Sequence, residues 1–500
     1  MLSLLTPAQM RQLDAHMINE QGIPEEVLME QAAMGVTAAV EALLPLGGRV
    51  FVFCGSGNNG GDGLAVLRQL GTKGIDCCAY LFCAPASLTG LAGLQYRIAI
   101  ASGLKAEIIL NDEALDAIDF TKADVLVDAL FGTGLSREIS GRYRLVVEKI
   151  NASKKPVVAV DIPSGINGET GQVLGAAVRA SLTVTFMHKK LGHLLFPGRE
   201  YSGRVSITKI GIPSISLQAA QEWEEADAQA LLPPLGLNIH KGDNGRALLC
   251  AGSKNYIGAA LLSSKAALRA GCGLLHVAVP GGIRAAFYEI PSVICHPAGS
   301  GFDWDLESAQ IALALIPKMD AAAIGPGMGG GEGIAMLLRA ALLSKKPLVL
   351  DADALNVLAK NPSLFEHIHE KVVLTPHIGE MSRLINKPAD EILNNPLETA
   401  ANAAKSWGCT LLLKGATSVI AFGDKVCLNA SGNPGLAKGG SGDMLTGIIL
   451  ALLAIGADPY KAACAGAFLL GTSAQKAYKL LQERMLLASD VLDVLGEQNR

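Results

Sequence analysis

The stretch Val50-Phe51-Val52-Phe53-Cys54-Gly55-Ser56-Gly57-Asn58-Asn59-Gly60-Gly61-Asp62-Gly63 decides how the first half of this chain folds. Its first five residues are an unbroken apolar run, the pattern of a strand buried on both faces of a sheet. Glycines then let the backbone approach a ligand, and the amides of the helix start that follows are suited to phosphate. The turn contains G-x-G-x-x-G, a weak signal alone. A hydride-transferring dehydrogenase should carry an acidic residue at the end of the next strand. That strand ends Ala79-Tyr80-Leu81-Phe82, with Asp76 at its beginning, which disfavours hydride transfer. Asn58, Asn59 and Asp62 add two carboxamides and a carboxylate that a plain turn does not need.

Outward from this turn the same rhythm repeats. Val125–Asp128, Val157–Asp161, Leu182–Phe186 and Val205–Ile207 read as further strands separated by helices, so a parallel sheet covered on both faces is expected. The rhythm stops between Pro213 and Gly242, where Glu222–Asp227 is acidic and Pro233-Pro234 breaks regular structure. It restarts with Ala247–Cys250, Leu274–Val279, Ala321–Ile324, Leu348–Leu350, Val372–Leu374 and Thr410–Leu413, then a hairpin turning at Gly423-Asp424. The expectation is an α/β chain of two doubly wound domains: residues 1–212, a linker over 213–240 that starts the second domain, and 241–500.

Composition excludes several classes. The 500 residues carry a net charge of −4 and no basic stripe, so nucleic acid is not an expected partner. The ten cysteines include no C-x-x-C and sit in or beside apolar runs, as reduced thiols do. The longest apolar stretch, near Ile448–Ile455, is too short for a bilayer, and the N-terminus lacks the pattern of a signal peptide. A cytoplasmic protein with no membrane partner is expected.

Two more strand ends of the first half carry polar residues, where open sheets place ligands. They are Asp128-Ala129-Leu130-Phe131-Gly132-Thr133-Gly134-Leu135 and Asp161-Ile162-Pro163-Ser164-Gly165. With residues 55–63 they resemble the NAD(P)H-hydrate epimerase (YjeF N-terminal) family over about the first 210 residues, which implies a Rossmann-like three-layer domain. The resemblance implies that Asn58, Asn59, Gly60, Gly61 and Asp62, with Gly132, Thr133, Gly134, Leu135, Ser136, Arg137 and Glu138, cradle the phosphates and sugars of a hydrated NADH or NADPH. It also implies that Asn59, Asp128 and Ser164 hold a potassium ion and that Asp161 faces the nicotinamide end. Asp161 is then our candidate for proton transfer, since epimerisation at a carbon bearing a hydroxyl needs a group that gives and takes protons. The family reads M-E-N-A-G where this chain has Met29-Glu30-Gln31-Ala32-Ala33, and the larger Gln31 and Ala33 point to reduced epimerase activity.

In the second half, Asn433-Pro434-Gly435-Leu436-Ala437-Lys438-Gly439-Gly440-Ser441-Gly442-Asp443 leads into an apolar helix. Such a glycine-dense approach builds a pocket of amides for a transferring phosphoryl group, and Asp443 at the helix start can take a proton from a hydroxyl. Upstream, Lys414-Gly415-Ala416-Thr417-Ser418 offers a cation, amides and hydroxyls for nucleotide phosphates. Glu380, in Thr375-Pro376-His377-Ile378-Gly379-Glu380, offers a carboxylate to magnesium through water. With Gly325-Pro326-Gly327 and Asp351-Ala352-Asp353-Ala354-Leu355-Asn356, these stretches resemble the ribokinase-like superfamily, and within it the ADP/ATP-dependent NAD(P)H-hydrate dehydratase family, over about residues 225–500. The resemblance implies that Lys414, Gly415, Ala416, Thr417, Ser418 and Gly442 bind the nucleotide with Mg2+, and that Ala259, Gly327, His377 and Asp443 contact the hydrate. The family's H-P-G-E is here His377-Ile378-Gly379-Glu380, and losing the proline should loosen the loop.

The combined expectation is an epimerase fused to a dehydratase that repairs hydrated nicotinamide cofactors, a pairing that explains why both halves share a chain. The rival is a vitamin or sugar kinase whose first half is a non-enzymatic module. A homo-oligomer is expected of sheets of this kind.

Overall fold

The computed structural model describes residues 1–211, 220–232, 236–479 and 481–495. Of these, residues 3–211 belong to one compact unit and 220–495 to another.

The first unit contains strands β1 (Leu2–Leu5), β2 (Arg49–Cys54), β3 (Asp76–Leu81), β4 (Lys105–Ile108), β5 (Val125–Ala129), β6 (Val157–Val160), β7 (Leu182–Phe186), β8 (Lys189–Lys190) and β9 (Arg204–Thr208). Seven of them form one sheet in the order β4-β3-β2-β5-β6-β7-β9, every pair parallel. The opening run explains why both faces are covered. Val50, Val52 and Cys54 pack into a core with helices α1 (Pro7–Asn19), α2 (Glu25–Leu43), α3 (Asn58–Thr72) and α4 (Gly90–Ala101). Phe51 and Phe53 point the other way, into a core with α5 (Gly141–Ala152). The expected α/β three-layer arrangement is therefore present. Thr6 caps α1 through the amide of Gln9, which answers it with its own side chain. The edge strand β4 escaped the sequence reading because Lys105-Ala106-Glu107-Ile108 is polar and largely exposed.

The second unit contains β10 (Ala220–Glu222), β11 (Arg246–Cys250), β12 (Leu274–Pro280), β13 (Val293–Ala298), β14 (Ala321–Ile324), β15 (Leu348–Leu350), β16 (Val372–Leu374), β17 (Thr410–Leu413), β18 (Ser418–Phe422) and β19 (Lys425–Asn429). Their order is β13-β12-β11-β14-β15-β16-β17-β18-β19-β10, and only the β17-β18-β19 pairings are antiparallel. Both units thus reverse strand order beside their first long strand, β2 in one and β11 in the other, although their sequences do not repeat. Helices α6 (Ile257–Arg269), α7 (Ser441–Ala454) and α8 (Pro459–Tyr478) pack on one face. Residues 444–454 of α7 are all buried, so this apolar run is a core helix. Gly447 carries no Cβ where one would stand 2.1 Å from the Ser263 carbonyl, which lets α7 and α6 touch.

The stretch read as linker and start of the second domain is structured in part. Pro213 and Pro233-Pro234 lie outside the described residues, but the acidic stretch Glu222–Asp227 is structured: it ends β10 and opens a helix over Glu225–Leu231. The reason is a capping box, in which the Glu224 amide donates to Asp227 Oδ2 at 2.9 Å.

Candidate active sites

In the first unit the strand order reverses between β2 and β5, so their carboxyl ends open a crevice. A cavity of about 820 Å³ occupies it. Asn58, Asn59 and Asp62 reach it from the start of α3, residues 132–137 from the loop after β5, and Asp161 from the end of β6. Three separate strand ends converge, as their polar residues suggested. Gly60, Gly61 and Glu138 do not line it. A Cβ on Gly60 would stand 2.0 Å from the Gly55 carbonyl, and one on Gly61 2.9 Å from Met29 Cε, so these two glycines seat α3 against its neighbours.

Asp128 and Ser164 lie beneath the cavity floor. Asp128 is fully buried; its Oδ1 accepts the Ser164 hydroxyl at 2.6 Å and its Oδ2 the Ser164 amide at 2.8 Å. Burial pushes its carboxyl up to about 6 against the pull of these bonds. Ser164 Oγ also accepts from the Phe131 amide at 2.8 Å, and the Asn59 side chain lies against the next residue, where a Gly132 Cβ would be 3.1 Å from its Oδ1. Asn59 Nδ2 is buried with no acceptor among the described residues. Asn59, Asp128 and Ser164 therefore gather around the Phe131-Gly132 backbone. Their oxygens, with a carboxylate that has no ion pair among the described residues, are a donor set that fits a hard monovalent cation.

The sequence reading missed the cation of this site. Lys190, on the two-residue strand β8, is 1% exposed and donates to Asp161 Oδ1 at 2.5 Å and to Thr185 Oγ1 at 2.8 Å. Burial alone would raise the Asp161 carboxyl; Lys190, with His193 and Thr185, holds it below the ordinary value instead. His193 Nδ1 accepts from the Lys190 amide at 3.0 Å, so its Nε2–H donates to the Asp161 carbonyl at 2.9 Å. Burial first, and Lys190 second, push His193 down to about 3, which keeps it neutral. Asp161 itself has φ +66°, a left-handed conformation uncommon outside glycine and costing of order 1 kcal/mol. Two further carboxyls face it: Asp62 is pushed well above its ordinary value, by burial and then by Asp161, and Asp14 is raised chiefly by burial. The cavity thus holds the Asp161–Lys190 ion pair beside a carboxyl, Asp62, raised well above its ordinary value by burial and by Asp161.

Gln31 and Ala33 do not bear on this site. Gln31 is exposed and Ala33 is fully buried in the core, whereas Met29 and Ala32 of the same helix line the cavity. The expected loss of epimerase activity through these two positions therefore has no structural basis.

In the second unit the residues converge at the carboxyl ends of β14, β15, β16 and β17. Asp351, 1% exposed, follows β15 and accepts from Lys414 Nζ at 2.7 Å through Oδ1 and from Thr446 Oγ1 at 2.8 Å through Oδ2. Ala352 has φ +49°, and this strained turn lets the next carboxylate, Asp353, accept from the Gly329 amide at 2.7 Å. Lys414 opens the turn from β17 to β18 that carries Gly415, Ala416, Thr417 and Ser418. Gly442 stands beside it: a Cβ there would be 3.4 Å from Lys414 Nζ and 3.7 Å from Asp351 Oδ2. Asp443, in the first turn of α7, is pushed up to about 6 by burial and then by Asp351, with Lys414 opposing. That is a carboxylate still ionised at neutral pH yet more basic than an ordinary one, as a general base requires.

Ala259 and Gly327 also meet. Gly327 has φ +62°, and a Cβ there would lie 2.5 Å from Tyr256 Cβ and 3.0 Å from Ala259 Cβ. His377 caps the helix Ile378–Ile385, its Nδ1 accepting the amides of Gly379 and Glu380 at 3.0 and 3.2 Å. Glu380 completes the capping box by accepting the His377 amide at 2.8 Å, with Oε1 3.4 Å from His377 Nε2 and Oε2 3.8 Å from Lys414. This box ties the loop through its own side chains at the place where the family's proline is lost. It also ties up Glu380, leaving only a solvent-bridged contact as its route to a metal.

A doubly wound domain with a glycine turn at its switch point, followed by a ribokinase-like domain with an aspartate at a glycine-dense helix start, defines a two-site α/β enzyme. A family model described as YjeF-related protein N-terminus matches residues 25–192, and one described as NAD(P)H-hydrate dehydratase matches residues 247–495. The bifunctional NAD(P)H-hydrate repair enzyme of Thermofilum pendens is 39% identical over 474 residues, 93% of this chain and 90% of that protein. That of Moorella thermoacetica is 38% identical over 510 residues, 98% of this chain and 96% of its own. A ribokinase-like superfamily protein of Enterococcus faecalis superposes with TM-score 0.50 at 23% identity, covering 57% of this chain and 96% of its own, which shows the fold of the second unit. The chain belongs to the family of bifunctional NAD(P)H-hydrate repair enzymes.

Proposed function

We propose that this chain restores hydrated NADH and NADPH with one site in each half. The N-terminal half epimerises the R and S hydrates. Asn58, Asn59, Asp62 and residues 132–137 cradle phosphates and sugars, and Asp161 exchanges a proton with the hydrate while Lys190 fixes its charge and position. Asn59, Asp128 and Ser164 would hold potassium, which would supply fixed positive charge beneath the cradle. Domain limits of 1–212 and 241–500 with the linker and start of the second domain over 213–240, a cytoplasmic setting and a homo-oligomeric assembly belong to the same reading.

The C-terminal half dehydrates the S hydrate at the expense of ADP or ATP. Lys414, Gly415, Ala416, Thr417, Ser418 and Gly442 hold the nucleotide, and Ala259, Gly327, His377 and Asp443 the hydrate. Asp443 takes the proton of the ring hydroxyl as its oxygen attacks the terminal phosphorus, and the shortened nucleotide leaves. The C–O bond of the phosphorylated ring then breaks with loss of a proton from the neighbouring carbon, releasing phosphate and restoring the reduced ring. Glu380 would help hold the magnesium of the nucleotide through water, and that ion would neutralise phosphate charge. The observation that carries this half is Asp443 at a glycine-dense helix start, raised to about 6 and beside Lys414.

One cuvette tests both halves: pure R hydrate with ADP, magnesium and potassium. Return of reduced-nicotinamide absorbance requires both sites. Return from the S hydrate alone removes the epimerase, and a phosphorylated product that accumulates replaces dehydratase with small-molecule kinase.

A further inference from the structure

Asp14 lines the cavity of the first unit and has no role in the chemistry described for it. It stands on α1, where Met10, Leu13 and Met17 recur at helical spacing and are buried in the core. Four residues beyond Met10, Asp14 borders that apolar face, and both residues reach the cavity. It is half-buried and makes no hydrogen bond or ion pair among the described residues. Burying a carboxyl without a partner costs free energy, so a border position normally pairs its acid or leaves it in water. The lysine that faces Asp14, Lys190, is committed to Asp161 and Thr185.

The ionisable groups facing Asp14 are Lys190 from β8, Asp161 from the end of β6 and Asp62 from α3, and Arg11 and Glu25 line the same cavity. Burial raises the Asp14 carboxyl, with Lys190 opposing and Asp161 adding to the rise. Asp161 is held low against its own burial by Lys190. Two carboxyls of one cavity are thus pushed apart, the pattern of an acid set against a base.

The hydrate defines what such a pair can do. Water adds to an enamine double bond with its hydroxyl on the carbon bonded to nitrogen, so the damaged ring is a hemiaminal. Opening that ring erases the stereocentre without losing an atom. The hydroxyl proton passes to the Asp161 carboxylate, and the O–H electron pair becomes the second C–O bond. The C–N pair leaves with the ring nitrogen, which takes a proton from an acid, and an open aldehyde results. After rotation about the adjoining C–C bond, the nitrogen attacks the other face of the carbonyl. It returns its proton to the acid, and the oxygen takes back the proton held by Asp161. Both carboxyls finish as they began.

We infer that Asp14 is the proton donor to the ring nitrogen, working with Asp161 in an epimerisation that runs through the open aldehyde. The inference rests on the epimerase reading of the first half, and deepens it by naming the second proton-transfer group and the bond that breaks.

The test follows interconversion of the R and S hydrates by chromatography without nucleotide, which keeps the second site silent. Asp14→Asn should lower kcat about 100-fold while KM stays within about threefold, and Asp14→Glu should recover part of the rate. Asp14 must carry its proton to work, so wild-type kcat should fall as pH rises past its raised value. The residual rate of Asp14→Asn should lack that alkaline limb. In water enriched in oxygen-18 the wild-type product should keep its original oxygen, because no bond from the ring to that oxygen breaks. This measurement needs no variant, so it holds even where Asp14→Asn misfolds. Full epimerisation by Asp14→Asn, a limb that persists there but vanishes in Asp62→Asn, or label in the product overturns the inference. Failure of the epimerase reading looks different: the wild type itself leaves the R hydrate unconverted, and the inference falls with it.

Discussion

Lys190 and Asp161 form an ion pair at 2.5 Å inside the first unit, 29 residues apart in sequence and with the lysine 1% exposed. Such a pair holds only if both partners stay, because removing one strands a buried charge at a cost of about 3–5 kcal/mol. Lys190→Met should therefore lower stability by about that amount and slow epimerisation at least about 100-fold. Dehydration of the S hydrate should be unchanged. Recovery of absorbance from R and S hydrates, measured side by side with urea unfolding, checks this. In Lys190→Met with Asp161→Asn, stability should partly return but epimerisation should not, and a double variant as unstable as the single one would refute the stranded-charge account.

The Asp443 carboxyl predicts a pH profile. It accepts a proton, so it must be ionised to work, and its value of about 6 sets the limb. kcat/KM for the S hydrate should be flat above neutrality and fall about tenfold per pH unit below about 6. Asp443→Ala should abolish dehydration while ADP affinity stays within about threefold. Asp351 raises Asp443 by repulsion, so Asp351→Asn should move the limb to lower pH. A limb that stays in place in Asp351→Asn would assign it to another group.

Gln31→Asn and Ala33→Gly restore the residues of the epimerase family's motif. Neither position lines the cavity, so epimerisation should change by less than about twofold. Ala33→Gly should cost about 1 kcal/mol, the usual loss for glycine within a helix. A several-fold gain in epimerisation would show that α2 governs the site through these positions after all.

The sites were legible in the sequence wherever the signal was local. An apolar run ending in glycine marks a parallel strand and its turn, so Asn58, Asp128, Asp161, Asp351 and Asp443 could each be placed at a strand end or helix start. What escaped was non-local. Lys190 sits on a two-residue strand whose pairing with β1 leaves no periodic pattern, and its role depends on meeting Asp161 through the fold. Asp14 looks like any acid on an amphipathic helix until α1 brings it to the cavity. The edge strand β4 alternates polar with apolar residues, and β13 is broken by His296 and Pro297, so both lack the continuous run that marked their neighbours. Trp223 lay in an acidic stretch that read as linker, and only the fold shows it buried in the core of the second unit.

Asp128 allows the potassium proposal to be separated from simple packing. Its carboxylate is buried and raised to about 6, and its bonds are to Ser164 and the Leu130 amide. A cation beside it favours the ionised form, so potassium should stabilise the folded chain above pH 6 and lose that effect as pH falls through about 6 and the carboxyl takes a proton. Replacing potassium with tetramethylammonium should lower Tm at pH 7.5 and slow use of the R hydrate, while the rate on the S hydrate holds. Asp128→Asn keeps the shape and both Ser164 contacts in reach but removes the charge, so its Tm should no longer respond to potassium. A Tm that responds equally in wild type and Asp128→Asn would place the cation somewhere other than the Phe131-Gly132 cradle.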